Sequence, residues 1–306
     1  MNCNPTPSRR PAGGTILSPI AALNLEAAKG RCYYPGVSDR RTVRPPAVAG
    51  TFYPADAAEL ERMVRGFLEQ AASPKAPYRD PRAAIAPHAG YIYSGPIAGS
   101  AFAPFAACAR NIDTVILLGA SHHVPYRGIA ASSAGYFDTP LGSVPLDQEL
   151  VERACTHPSV DYLEEAHAPE HSLEVELPFL QVLLGDFRIV PLLCGSVSFA
   201  ATAEVLRLLW DRVADHGIIV VSSDLSHYLT YDAAQRLDRA TAQAIERLDP
   251  DGIGEEQACG RIPIGGLLLL AHEKEWKVQT VDLRNSGDTS GLRTQVVGYG
   301  AFLFHE

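Results

Sequence analysis

The chain has 306 residues, 46% hydrophobic and 20% charged, an ordinary globular composition that excludes disorder for most of its length and suffices for a large α/β domain. Lys and Arg number 26 against 35 Asp and Glu, for a net charge of −9 with no basic run to track a phosphate backbone, so nucleic acid is not an expected partner. No stretch approaches the roughly 20 apolar residues of a membrane span. The six cysteines form no C-x-x-C pair, so zinc-ribbon, thioredoxin and disulfide-framework classes lack their signature and a reducing, cytoplasmic location is expected.

In chain order, residues 1–43 read as a poorly ordered extension, with Pro5, Pro7, Pro11, Gly13 and Gly14 in quick succession and no sustained period. The stretch "TILSPIAALNLEAAKG" is broken by Pro19, Asn24 and Glu26, which deprives it of the apolar core of a signal peptide. From residue 44 the pattern is regular. "DAAELERMVRGFLEQAA" predicts an amphipathic helix with Asp56 as its N-cap and Leu60, Val64, Phe67 and Leu68 on one face. "RAAIAPHAG", "TVILLGA", "RIVPLLCG" and "GIIVVSSDL" predict strands, with helices over "AATAEVLRLLWDRVADHG" and "DAAQRLDRATAQAIERLD", and "KVQTVDLRNSGDT" and "QVVGYGAFLFHE" predict two closing strands. Strands alternating with helices imply one α/β domain over residues 44–306, a largely parallel central sheet flanked by helices.

In such a fold the carboxyl ends of the strands carry the chemistry. His88 follows the first strand, His122 and His123 the second, and Asp224 and His227 the fourth, so three strand ends deliver metal-capable or acid–base side chains to one edge of the sheet. In "HAPEHSLEVELPFLQ", His171 and Glu174 would share a face if the segment is helical; acidic complement to a helix N-terminus is the competing reading. Cys259 stands just before Gly260 and an apolar helix, where a free cysteine is ordinarily a small buried hydrophobe. For Asp224 the plain alternative is a turn in which it caps the backbone that follows.

The segments "PAVAGTFYP", "APHAGYIYSG", "LGASHHVP", "EHSLEVELPFL", "SSDLSHY" and "CGRIPIGGLL", in this order, resemble the Memo family, of the AmmeMemoRadiSam system protein B type. The resemblance implies a fold similar to the class III extradiol dioxygenases, which hold non-haem Fe(II). It also implies a metal site formed by His88, His122 and Cys259, with His227 at the position of the dioxygenases' acid–base histidine. His123, His171 and Glu174 are then candidates for supporting the ligands from behind. The cofactor expected is one divalent transition metal, Fe(II) first and copper or zinc as alternatives, because a thiolate in place of the usual carboxylate softens the site. Prokaryotic relatives commonly occur beside a radical-SAM protein, and animal relatives are linked to redox activity and phosphopeptide binding, so these are the implied associations.

Three functions follow. The first is a metal-dependent, dioxygenase-like redox enzyme acting on an unknown small molecule, with His227 as acid–base group and Asp224 orienting it. The second is a binding module that uses the same cleft for a peptide or phosphorylated ligand without turnover. The third is a hydrolase with Cys259 as nucleophile.

Overall fold

The computed structural model describes residues 42–71 and 81–306. Apart from Thr42 and Val43, the extension expected at residues 1–43 lies outside the described residues; Val43 and Arg44 already form strand β1. The amphipathic segment folds as helix α1, Ala57–Gln70, and Asp56 caps it by accepting from the Glu59 amide at 2.9 Å. Leu60 and Val64 are its fully buried residues, as the 3.6-residue period requires.

The four apolar runs become parallel strands β2 (Pro81–Ala86), β3 (Thr114–Ala120), β8 (Arg188–Cys194) and β9 (Gly217–Ser222), in spatial order β2-β9-β3-β8. Each is buried on both faces, which is why it reads as a continuous apolar run rather than an alternation. Alternate residues feed two cores. Ile85, Ile116, Leu118 and Val221 point to one side, against α6 (Phe199–Val213) and α8 (Arg261–Glu273); Ala84, Val115, Leu117 and Val220 point to the other, against α1, α2 (Tyr91–Phe102) and α5 (Leu177–Leu184).

Outside this quartet the sheet is mixed. The two closing strands, β11 (Lys277–Asn285) and β12 (Val296–His305), pair antiparallel with each other, and β12 lies antiparallel against β2. A short strand β10, His227–Leu229, joins the start of β12, while β4 (Ile129–Ala131) runs antiparallel to β8 and carries β7 (Val160–Tyr162) parallel outside it. The largely parallel sheet expected is thus parallel through its four central strands, with antiparallel pairings added on both flanks. A separate small sheet joins β1, β5 (Tyr136–Thr139) and β6 (Gly142–Pro145). Helix α7, Tyr231–Glu246, fills the remaining expected helical stretch. Among the described residues no helix is long and apolar enough to cross a membrane.

Candidate metal centre

The site follows from strand register. Ala86 of β2 pairs with Ser222 of β9, and Ser222 pairs with Gly119 of β3, so the three strands end nearly level. His88, His122 and Asp224 each lie two residues beyond the last residue of their strand and meet on one edge. Cys259 arrives from elsewhere, in the turn before α8. It is brought close because Gly260 packs against β9: a Cβ on Gly260 would stand 2.5 Å from Ser223 Cβ, so no larger residue fits there. Gly260 N donates to Ser223 Oγ at 2.8 Å, and Cys259 N donates to the Asp224 carbonyl at 3.3 Å.

Within the cluster, Cys259 Sγ lies 3.4 Å from His88 Nε2, and one ligand atom each from His88, His122 and Cys259 fall within 4.8 Å of one another. A metal about 2.0 Å from nitrogen and about 2.3 Å from sulfur would subtend roughly 100° across that 3.4 Å gap, a near-tetrahedral angle. The donor set thus fits a transition metal. His88 is 2% exposed, and its Nδ1 lies 2.8 Å from Ser222 Oγ. Ser222 Oγ donates at 2.6 Å to the Ser172 carbonyl, which can only accept, so the hydroxyl takes its bond from His88 Nδ1–H and leaves the Nε2 lone pair facing Cys259. Glu176 Oε1 is 2.7 Å from the same hydroxyl, and burial raises this carboxyl well above its usual range, keeping it neutral.

His122 is held by Glu170, whose Oε2 accepts the His122 amide at 2.6 Å and whose Oε1 lies 2.8 Å from His122 Nδ1. Oε1 also accepts the amides of His171 and Ser172, each at 3.0 Å. Burial alone would lower the His122 pKa, but the hydrogen bonds to Cys259 and Glu170 outweigh it and push it up to about 10. Burial would raise the Glu170 carboxyl, and the bonds from His122 and the amides instead hold it well below the usual carboxylate range. His171 packs beside both of these histidines, with ring centroids 4.7 Å from His122 and 5.3 Å from His88, and burial lowers its pKa to about 4. Burial likewise draws His88 well below the usual imidazole value, and the neighbouring His122 and His171 add to it.

The remaining expected residues separate. His227 lines the same cleft, its pKa lowered by burial while a hydrogen bond with the Leu225 carbonyl opposes the shift. Asp224 does not hydrogen-bond His227 among the described residues. Its Oδ1 accepts the His88 amide at 2.8 Å, and burial pushes its pKa up to about 7 despite the bonds from the His88 and Ala89 amides. Among the described residues the expected capping of the following backbone does not form: the amides it holds, those of His88 and Ala89, belong to the loop after β2. His123 is exposed and meets His171 edge-on at 5.9 Å. The helix expected to align His171 with Glu174 starts only at Leu177, where Pro178 supplies a favourable first-turn residue. Glu174 instead accepts from Arg44 Nη1 and the Ala47 amide at 2.7 Å, the Val48 amide at 3.0 Å and Tyr53 Oη at 2.5 Å, and so anchors the start of the domain. The carboxylate beside the histidines is Glu170, a lone acid that carries no periodic signal in "HAPEHS"; its direct adjacency to His171 is the one sequence clue.

His88, His122 and His171 line a cleft of about 750 Å³ whose other walls include Phe52, Tyr93, Tyr228, Leu292 and Tyr299. Tyr228 is 72% exposed and sits at φ 58°, a left-handed conformation that is costly for a bulky residue and that turns it out beside His227. No Lys or Arg is among the described residues lining the cleft.

A family model described as "Memo-like protein" matches residues 44–303. A "MEMO1 family protein" of Ignicoccus hospitalis is 37% identical, covering 86% of this chain and 98% of its own. Proteins of the same description from Aquifex aeolicus and Pyrobaculum arsenaticum are 36% and 33% identical, each alignment covering 86% of this chain and 99% of the relative. Among solved structures, an uncharacterized Escherichia coli K12 protein, JW3007, aligns with a TM-score of 0.44 at 16% identity over 74% of this chain and 99% of its own. The family match takes in every residue of the cluster, and the chain belongs to the Memo-like protein family.

Proposed function

We propose that this protein is a metal-dependent, dioxygenase-like redox enzyme that acts on a small molecule in the cleft above His88, His122 and Cys259. The observation that carries the reading is the convergence of two imidazoles and a thiol within 4.8 Å, both imidazoles lining a cleft that also holds a separate histidine, His227. A transition metal with open positions supplies O2 activation or Lewis acidity when bound there. The protein's own contribution is positional. Ser222 and Glu170 hold the rings of His88 and His122 so that one nitrogen of each is turned to the thiol, and the lowered pKa of His227 leaves a neutral imidazole able to take a proton from an acidic hydroxyl.

The hydrolase reading has its own supporting contact, since Cys259, His122 and Glu170 form a thiol–imidazole–carboxylate series. It lacks an oxyanion site at the thiol: the amides of Cys259 and Gly260 donate to the Asp224 carbonyl and Ser223 Oγ, leaving neither for a tetrahedral intermediate. The phospho-ligand reading lacks a Lys or Arg among the described residues lining the cleft.

The test is metal analysis of anaerobically purified protein, followed by O2 uptake against a panel of catechols and other dihydroxy aromatics. A Cu(II)-loaded sample should show a thiolate-to-metal absorption band that Cys259→Ser abolishes. Absence of that band in the parent, or activity undiminished after metal removal, overturns the reading.

A further inference from the structure

We propose that His122, Glu170 and His171 form a second metal position, of the two-histidine, one-carboxylate kind, which shares His122 with the first set but does not need the thiolate. The Nδ1 atoms of His122 and His171 both address one oxygen, Glu170 Oε1, at 2.8 and 3.3 Å. An ion about 2.1 Å from each donor would see angles of roughly 85° and 105° across these two gaps, the range that octahedral and tetrahedral centres use. The three ligand atoms lie within 4.8 Å of one another.

A purely supporting role for Glu170, orienting His122 for the first set, accounts for the 2.8 Å contact. It does not account for His171, whose Nδ1 is turned toward the same oxygen at 3.3 Å while its ring opens onto the cleft. Phe52 holds that ring edge-on at 4.9 Å, so the orientation is packed in place. The two positions differ in chemistry. The first offers a soft thiolate; the second offers a hard carboxylate already steadied by the amides of His122, His171 and Ser172. Oxygen-preferring ions such as Mn(II) and Fe(II) suit the second, and Cu(I) and Zn(II) the first. His122 addresses Glu170 through Nδ1, which leaves Nε2 for Cys259, so the ring turns one nitrogen to each side, and an ion on either side displaces the proton of that nitrogen to solvent.

Anaerobic titration with Co(II), followed by visible absorption and calorimetry, tests this. His88→Ala/Cys259→Ser removes two of the three ligands of the first set and none of the second. It should bind one equivalent of Co(II) without a sulfur-to-cobalt band, and adding His171→Ala should weaken that binding at least about 10-fold. In the otherwise unchanged protein, His171→Ala should keep the sulfur-to-cobalt band. A folded His88→Ala/Cys259→Ser protein that binds no Co(II), or whose binding is indifferent to His171→Ala, overturns the proposal. If the double variant does not fold, Cys259→Ser with and without His171→Ala, titrated with Mn(II) and read by electron paramagnetic resonance, gives the same two outcomes. A parent protein without the sulfur-to-cobalt band refutes the first set alone and leaves these readouts intact.

Discussion

Asp224 and His88 are joined across two strands: the His88 amide donates to Asp224 Oδ1 at 2.8 Å, and both residues are buried. The carboxyl thereby fixes the loop that carries a metal-capable imidazole, while the Asp224 main-chain carbonyl takes the Cys259 amide at 3.3 Å. Asp224→Ala leaves buried amides without an acceptor, which should lower stability by about 1–3 kcal/mol. It should also weaken metal binding. Asp224→Asn, which keeps one acceptor oxygen, should do less in both respects; equal effects from the two variants, by urea unfolding and metal titration, would contradict this role.

His227 belongs to a different class. It lines the cleft without joining either group of metal-capable side chains. His227→Ala should retain metal at near-parent affinity and lose about 10²- to 10⁴-fold in turnover of any substrate identified. Loss of the metal with His227 would make it a ligand and contradict this assignment, as would full turnover without it.

Glu174 and Arg44 form a buried ion pair at 2.7 Å, with side chains 0% and 5% exposed. Removing one partner strands the other charge in the interior, so Glu174→Ala should cost about 3–5 kcal/mol. Because the contacts of Glu174 lie with Arg44, Ala47, Val48 and Tyr53, its loss should act on stability, and the visible spectrum of a Co(II)-loaded sample should keep its shape once the protein is folded.

His167 supplies a pH signature. Buried and hydrogen-bonded through Nε2 to the Ala130 carbonyl at 3.1 Å, it has a pKa lowered by burial from 6.5 to about 4. Above pH 6.5 both folded and unfolded forms are neutral and this residue gives no slope. As pH falls from 6.5 to 4 the unfolded chain takes up the proton first, so stability declines, by about 3 kcal/mol for the full shift, and below 4 the loss is complete. His167→Gln should flatten the stability curve in that window relative to the parent. Parallel curves from denaturant titrations between pH 4 and 7 would count against it.

Much of this was legible in the sequence, and the exceptions have physical causes. The apolar runs of β2, β3 and β9 announce strands buried on both faces, and with parallel order their ends must share an edge, so His88, His122 and His227 could be assembled without coordinates. Glu170 was not legible, because its importance rests on an oxygen meeting His122 across 48 positions. Glu174 was overvalued because a three-residue spacing implies a shared face only inside a helix, and the helix begins after it. Asp224 and His227 are three apart in sequence, yet the backbone between them turns so that Leu225 N donates to the Gly298 carbonyl at 2.8 Å and the Asp224 carboxyl goes back under the β2 loop.

The strand order β2-β9-β3-β8 also bears on how the chain reaches its native state. Strands β2 and β3 never touch as neighbours; β9, more than 90 residues further along, must be inserted between them. Until residue 222 has left the ribosome the sheet has a gap at its centre, flanked by two strands whose faces are largely apolar and whose hydrogen-bonding edges are open. Such edges template association between chains, and closing a gap through distant contacts is slow because the loop entropy must be met before the contacts form. Folding of this protein is therefore expected to be late, cooperative around β9, and vulnerable to aggregation in any truncation that ends before Ser222.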